Sequence, residues 1–73
     1  MKKEIEITTE YIKLDQLLKF SGISGTGSSA KEMILSGIVS VNGKVCLLRG
    51  KKIRKGDAIS VDKGGETIEM TVV

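Results

Sequence analysis

From Lys3 to Thr9 apolar and polar residues alternate, with Ile5 and Ile7 on one side and Glu4, Glu6 and Thr8 on the other. A period of two predicts a half-buried strand that ends near Glu10. From Lys13 the period lengthens. Leu14, Leu17 and Leu18 share one helical face while Lys13, Gln16 and Lys19 point away, which predicts a helix over Lys13 to Ser21. Gly22 closes it, because a residue without a Cβ permits a left-handed exit. Ser21 to Ser29 is rich in glycine and serine and reads as a turn. A second helix turns Ala30, Met33 and Ile34 inward and ends at Gly37. Ser29 and Glu32 have capping-box spacing for its start, and Thr26 is a competing N-cap.

After Gly37 the pattern returns to strands. Ile38-Val39-Ser40-Val41 is followed by Asn42-Gly43, a strong hairpin signal because both positions tolerate positive φ. Val45-Cys46-Leu47 is the expected return strand, and Arg49 to Gly56 an irregular basic loop. Asp57 leads into the strand Ala58 to Val61, Lys63-Gly64-Gly65-Glu66 turns the chain, and Thr67 to Val72 alternates again. The unit around which the rest is organised runs from Leu14 to Gly43. The expected architecture is α+β, a helical pair packed on a small, mostly antiparallel β-sheet. Residues 1–73 read as one domain, without repeat or low-complexity tail.

A chain of 73 residues buries only about 60% of the surface its unfolded form exposes, which puts any function on an outer face. There is no His, and Cys46 is the only cysteine. That excludes an intramolecular disulfide and a His/Cys metal cage, and it suits a reducing, cytoplasmic setting. No apolar run approaches the roughly 20 residues of a membrane span, and the N-terminus lacks a signal-peptide core. No nucleophile–base pair or Walker-type loop is present, and Gly25-Thr26-Gly27 is too weak a phosphate-loop signal, so no enzyme and no cofactor are expected.

Net charge is only +3, but its distribution is uneven. Lys44, Arg49, Lys51, Lys52, Arg54 and Lys55 fall in one window without an acid, while all nine acids lie outside it. A local positive potential on a nearly neutral body favours an anionic partner.

Taken in order, several of these residues resemble the RNA-binding domain first described in small-subunit ribosomal protein four, the S-four-type domain. They are Lys13-Leu14-Asp15 with Leu18, then Gly22, the polar turn Ser24 to Ser29, Ala30, Ile34 and Gly37. Val39-Ser40-Val41-Asn42-Gly43 and Gly56-Asp57 complete the pattern. The resemblance covers about residues 12–61 and is nearest to the small single-domain members of the YaaA/YbcJ type. It implies an αL-type RNA-binding motif and a non-catalytic protein that binds structured RNA. Ribosomal RNA or a ribosome-assembly particle is the expected target, with ribosomal proteins as further partners and the chain itself monomeric. One departure stands out. Many members carry an arginine three residues ahead of the Ala, where this chain has Gly27.

With one Tyr and one Phe, the chain lacks an aromatic stacking platform, so backbone and shape recognition of RNA is expected over base reading. The candidate RNA-binding residues are Lys13, Ser28, Ser29, Lys31, Lys44, Arg49, Lys51, Lys52, Arg54 and Lys55. The start of the second helix, near Thr26 to Ser29, adds backbone N–H groups suited to a phosphate. Each choice has a competing reading. The basic run could be a solvated loop, and Lys13 and Lys31 ordinary surface lysines. Asp15 reads as structural, fixing the helical pair. Tyr11 and Phe20 read as core or edge packing, and Cys46 as inert. The alternative function is a protein-interaction adaptor that docks an acidic partner or a ribosomal protein.

Overall fold

A computed structural model describes residues 2–73. The elements are β1 (Lys2–Ile5), β2 (Ile12–Lys13), α1 (Leu14–Phe20), α2 (Gly27–Leu35), β3 (Val39–Val41), β4 (Lys44–Val45), β5 (Lys52–Ile53), β6 (Ala58–Lys63) and β7 (Glu66–Val72). Five strands form one sheet in the order β1-β7-β6-β3-β4, while β2 and β5 form a separate ribbon. β1 runs parallel to β7, whereas β7, β6, β3 and β4 pair antiparallel, so the sheet is mixed. The arrangement is α+β, with two helices and a mixed five-stranded sheet.

The two helices and the sheet share one core. Leu14, Leu17 and Leu18 of α1 and Ala30 and Ile34 of α2 are buried against Val39, Val61, Ile59, Met70 and Val72 from the sheet. This follows the apolar periodicities of the sequence. Gly22 and Gly37, both at positive φ, end the helices where expected. Asn42 at φ 51° and Gly43 at φ 85° form the tight turn between β3 and β4.

Four expectations need correction. The first strand stops at Ile5; Ile7 stays buried, and beyond the strand the chain runs beside Val73, whose N–H donates to the Ile5 carbonyl (2.9 Å) and whose carbonyl accepts from the Ile7 N–H (3.1 Å). The N-cap of α2 is Thr26, whose hydroxyl accepts from the Ser29 N–H (3.1 Å), so the Ser29–Glu32 capping box does not form. The return strand is shorter than Val45-Cys46-Leu47, ending at Val45, with Cys46 held by one further bond to the Val39 carbonyl (2.9 Å). Phe20 is two-thirds exposed (66%), because the three leucines of α1 already fill its buried face.

Candidate nucleic-acid interface

The segment expected to be an irregular loop is instead pinned along its length. Ile53 is completely buried, and β5 pairs with β2 in the register Ile12↔Ile53 and Lys13↔Lys52. A two-residue strand is too short to show a period, and one apolar residue among cations carries little pattern. Burial of Ile53 anchors the segment at its middle. Since successive side chains alternate across a strand, Ile53 pointing inward sends Lys52 and Arg54 outward. Lys13 lies opposite Lys52 on that outer side.

The pinning also serves α1. Lys13, its N-cap residue, makes no side-chain capping bond. The Leu14 N–H donates instead to the Lys51 carbonyl (2.9 Å), and the Asp15 N–H to the Arg49 carbonyl (3.0 Å). The Asp15 carboxylate accepts from the Gln16 N–H (2.8 Å). The expected role of Asp15 in fixing the helical pair is not seen; its carboxylate bonds within the first turn of its own helix. Two of the orphan N–H groups of α1 are thus satisfied by the backbone of the basic segment.

At the far end a second clamp holds the segment. The Asn42 side chain donates to an Asp57 carboxylate oxygen (3.1 Å) and accepts from the Ala58 N–H (2.9 Å). The other Asp57 oxygen accepts from the Arg54 N–H (2.8 Å). The backbone bond from Arg54 holds the Asp57 carboxyl below its ordinary pKa; partial burial opposes this, and Asn42, Lys51 and Arg54 reinforce it. The Asn-Gly and Gly-Asp stretches of the sequence, fourteen positions apart, therefore form one hydrogen-bonded unit.

Tyr11, read from the sequence as packing, sits among the cations. Lys52 Nζ lies 5.0 Å from its ring centroid and Arg54 Cζ 5.9 Å. Exposed contacts of this kind contribute about 0.5–1 kcal/mol each and hold flexible side chains in place. The available signal was that Tyr11 and Lys13 flank Ile12 at a spacing of two. Arg54 also meets Glu10 at 3.3 Å, with both side chains largely exposed, so the pair is weak and a phosphate can displace it.

The candidate residues fall into three groups. Lys13, Lys52 and Arg54 share the outer side of the β2–β5 ribbon. Lys31, from α2, meets Arg49 and Lys51 around a cleft of about 490 Å³, and Lys44 joins Lys51 at a neighbouring one. Ser28, Ser29 and Lys55 stand apart. No hydrogen bond or ion pair among the described residues joins them to the others. The Ser29 N–H is already taken by Thr26, leaving Gly27 and Ser28 to supply free first-turn N–H groups. Two further cations are structural: Lys3 donates to the Ser21 carbonyl (3.2 Å) and Lys63 to the Ile23 carbonyl (3.4 Å). Among the described residues there is no group of His, Cys, Asp and Glu that could hold a metal ion, and no helix is long and apolar enough to cross a membrane.

A helical pair on a mixed sheet, with cations gathered on a ribbon beside it, defines a small α+β domain built to meet an anionic polymer. The family model described as the S4 domain matches residues 5–71, and the chain belongs to this family. The match extends beyond the 12–61 core of the sequence resemblance and takes in most of the last strand. S4 domains are generally RNA-binding and non-catalytic, and RNA binding is the coarse role of this chain. No curated protein sequence matches it.

Proposed function

We propose that this chain is a non-catalytic protein that recognises structured RNA, ribosomal RNA or a ribosome-assembly particle, through its basic face. In this reading residues 1–73 act as a single RNA-binding domain, monomeric and cytoplasmic, with the two helices and the basic segment as an αL-type motif. The observation that supports the reading is the pairing of β2 with β5, which sets Lys13 and Lys52 on one outer side of a ribbon, with Lys52 and Arg54 both against Tyr11. Cations on ordered backbone meet phosphates at lower entropic cost than cations on a free loop. Lys31, Lys44, Arg49, Lys51 and Lys55 extend the positive surface, and Ser28 and Ser29 add hydroxyls at the start of α2. With a single Tyr close to these cations, shape and backbone dominate over base sequence.

The test is a proton–nitrogen NMR titration with a folded ribosomal RNA hairpin at low and physiological salt. Shifts should cluster at Lys13, Ser28 to Lys31 and Lys44 to Lys55, and the affinity they report should fall with salt at a log–log slope of about 0.7–0.9 per phosphate contact. A Lys51→Ala/Lys52→Ala/Arg54→Ala variant should stay folded and lose most of the affinity. Unchanged binding in that folded variant removes the proposed surface.

A further inference from the structure

Exposed aliphatic side chains gather beside the basic face in a way that RNA binding does not use. Leu35, Val45, Leu47 and Leu48 are each more than half exposed (57%, 60%, 55% and 68%). Leu47 and Leu48 stand between two clefts of about 490 and 550 Å³, which share Lys51. Leu35 of α2 lines one cleft and Val45 the other. The charged side chains lining the two clefts are Lys31, Lys44, Arg49 and Lys51, with no carboxylate. Contiguous apolar surface with a polar rim on a small domain marks an interaction site.

We propose that these clefts dock a protein segment that is acidic and carries two spaced aliphatic or aromatic side chains, one for each cleft. The charge of the rim selects the partner, because four cations without an offsetting acid attract carboxylates and repel another basic surface. That argues against a second copy of this chain, since a two-fold contact would set the same cationic rims against each other. RNA can use the cations of the rim, but the exposed leucines offer a phosphate no hydrogen-bond donor. The adjoining backbone is also open. β4 is an edge of the sheet, and the Cys46 N–H turns inward to Val39, so alternation aims the polar groups of Val45 outward. An extended segment could pair there while its side chains enter the clefts. The rim shares Lys31, Lys44, Arg49 and Lys51 with the proposed RNA face, whereas Leu35, Val45, Leu47 and Leu48 lie outside that reading.

The experiment is selection of binders from a random peptide library against the nuclease-treated full chain, followed by affinity measurement with a Leu47→Ser/Leu48→Ser variant. Both positions are exposed, so the variant should fold as the parent does. Enriched peptides should combine Asp or Glu with spaced Leu, Ile or Phe, and their affinity should fall at least about tenfold in the variant. The variant's affinity for the ribosomal hairpin should change less than about twofold. Enrichment of neutral or basic peptides, or acidic peptides indifferent to the two leucines, overturns the proposal. Parallel loss of RNA affinity in the variant would overturn it by assigning the clefts to the RNA face. A dimer of the parent that the variant abolishes would overturn it in favour of a second copy.

Discussion

Asn42 performs two tasks that substitution can separate. It occupies a left-handed turn position, and its amide ties the turn to Asp57 and Ala58. Asn42→Gly keeps the turn and removes the side-chain bonds, so it should lower unfolding free energy by about 1 kcal/mol. Asn42→Ala also meets the left-handed penalty and should cost about 1–2 kcal/mol more. Chemical denaturation of both variants checks this order, and equal losses would deny the turn its share. At Asp57 the sign of the pH effect is fixed by the direction of its shift. A carboxyl lowered in the folded state adds stability above its unfolded pKa, near 3.9, and loses it as pH falls through the lower folded value. The stability gap between the parent and Asp57→Ala should therefore be full at neutral pH and narrow below about pH 4. A gap that stays constant into acid would show that the charge of Asp57 plays no part. The sequence showed Asn42 and Asp57 only as local turn residues. Their mutual bonds needed the fold, since β3 and β6 must pair before the two can meet.

At the scale of elements, the helix starts and the basic segment carry the lessons. Thr26→Ala should cost about 1 kcal/mol by removing the cap of α2, whereas Ser29→Ala should be close to neutral. Thermal unfolding of the two variants distinguishes them, and the reverse order would restore the Ser29–Glu32 box. Both residues satisfy the same local rule, and only the path of the chain out of the turn chose between them. Burial of Ile53 holds β5 to β2. Ile53→Val should cost about 0.5–1.5 kcal/mol. Lys52→Ala, at an exposed neighbour, should cost about 0.5 kcal/mol or less. The helices and long strands were legible because their periods run over many residues. The ribbon was hidden because two-residue strands have none.

For the whole molecule, net charge understates its electrostatic character. Lys3 and Lys63 hold loop carbonyls, while the cations near the ribbon and clefts face outward. Gly27, at the first position of α2, offers a direct test of whether phosphate contacts limit affinity. A side chain there would meet open space, because an added Cβ finds no atom within 4 Å. Gly27→Arg should therefore fold normally and bind the ribosomal hairpin more tightly. Its salt slope should steepen by about 0.7–0.9, the value for one added phosphate contact. An unchanged slope would place the start of α2 outside the RNA contact.

The order of apolar periods, turn residues and cations along the chain was sufficient for the α+β class, the helical pair, the family resemblance and the concentration of positive charge. Those features are local, set by side-chain period and by the backbone freedom of a few turn positions. The tertiary structure alone decided that Lys52 and Ile53 of the basic run pair with β2, that Tyr11 lies among the nearby cations, and that Asn42 is bonded to Asp57. It also decided that Leu35 and Lys31 of α2 meet Leu47, Leu48, Arg49 and Lys51. Each of these joins residues distant along the chain, and such contacts form only when burial of the shared core brings their elements together.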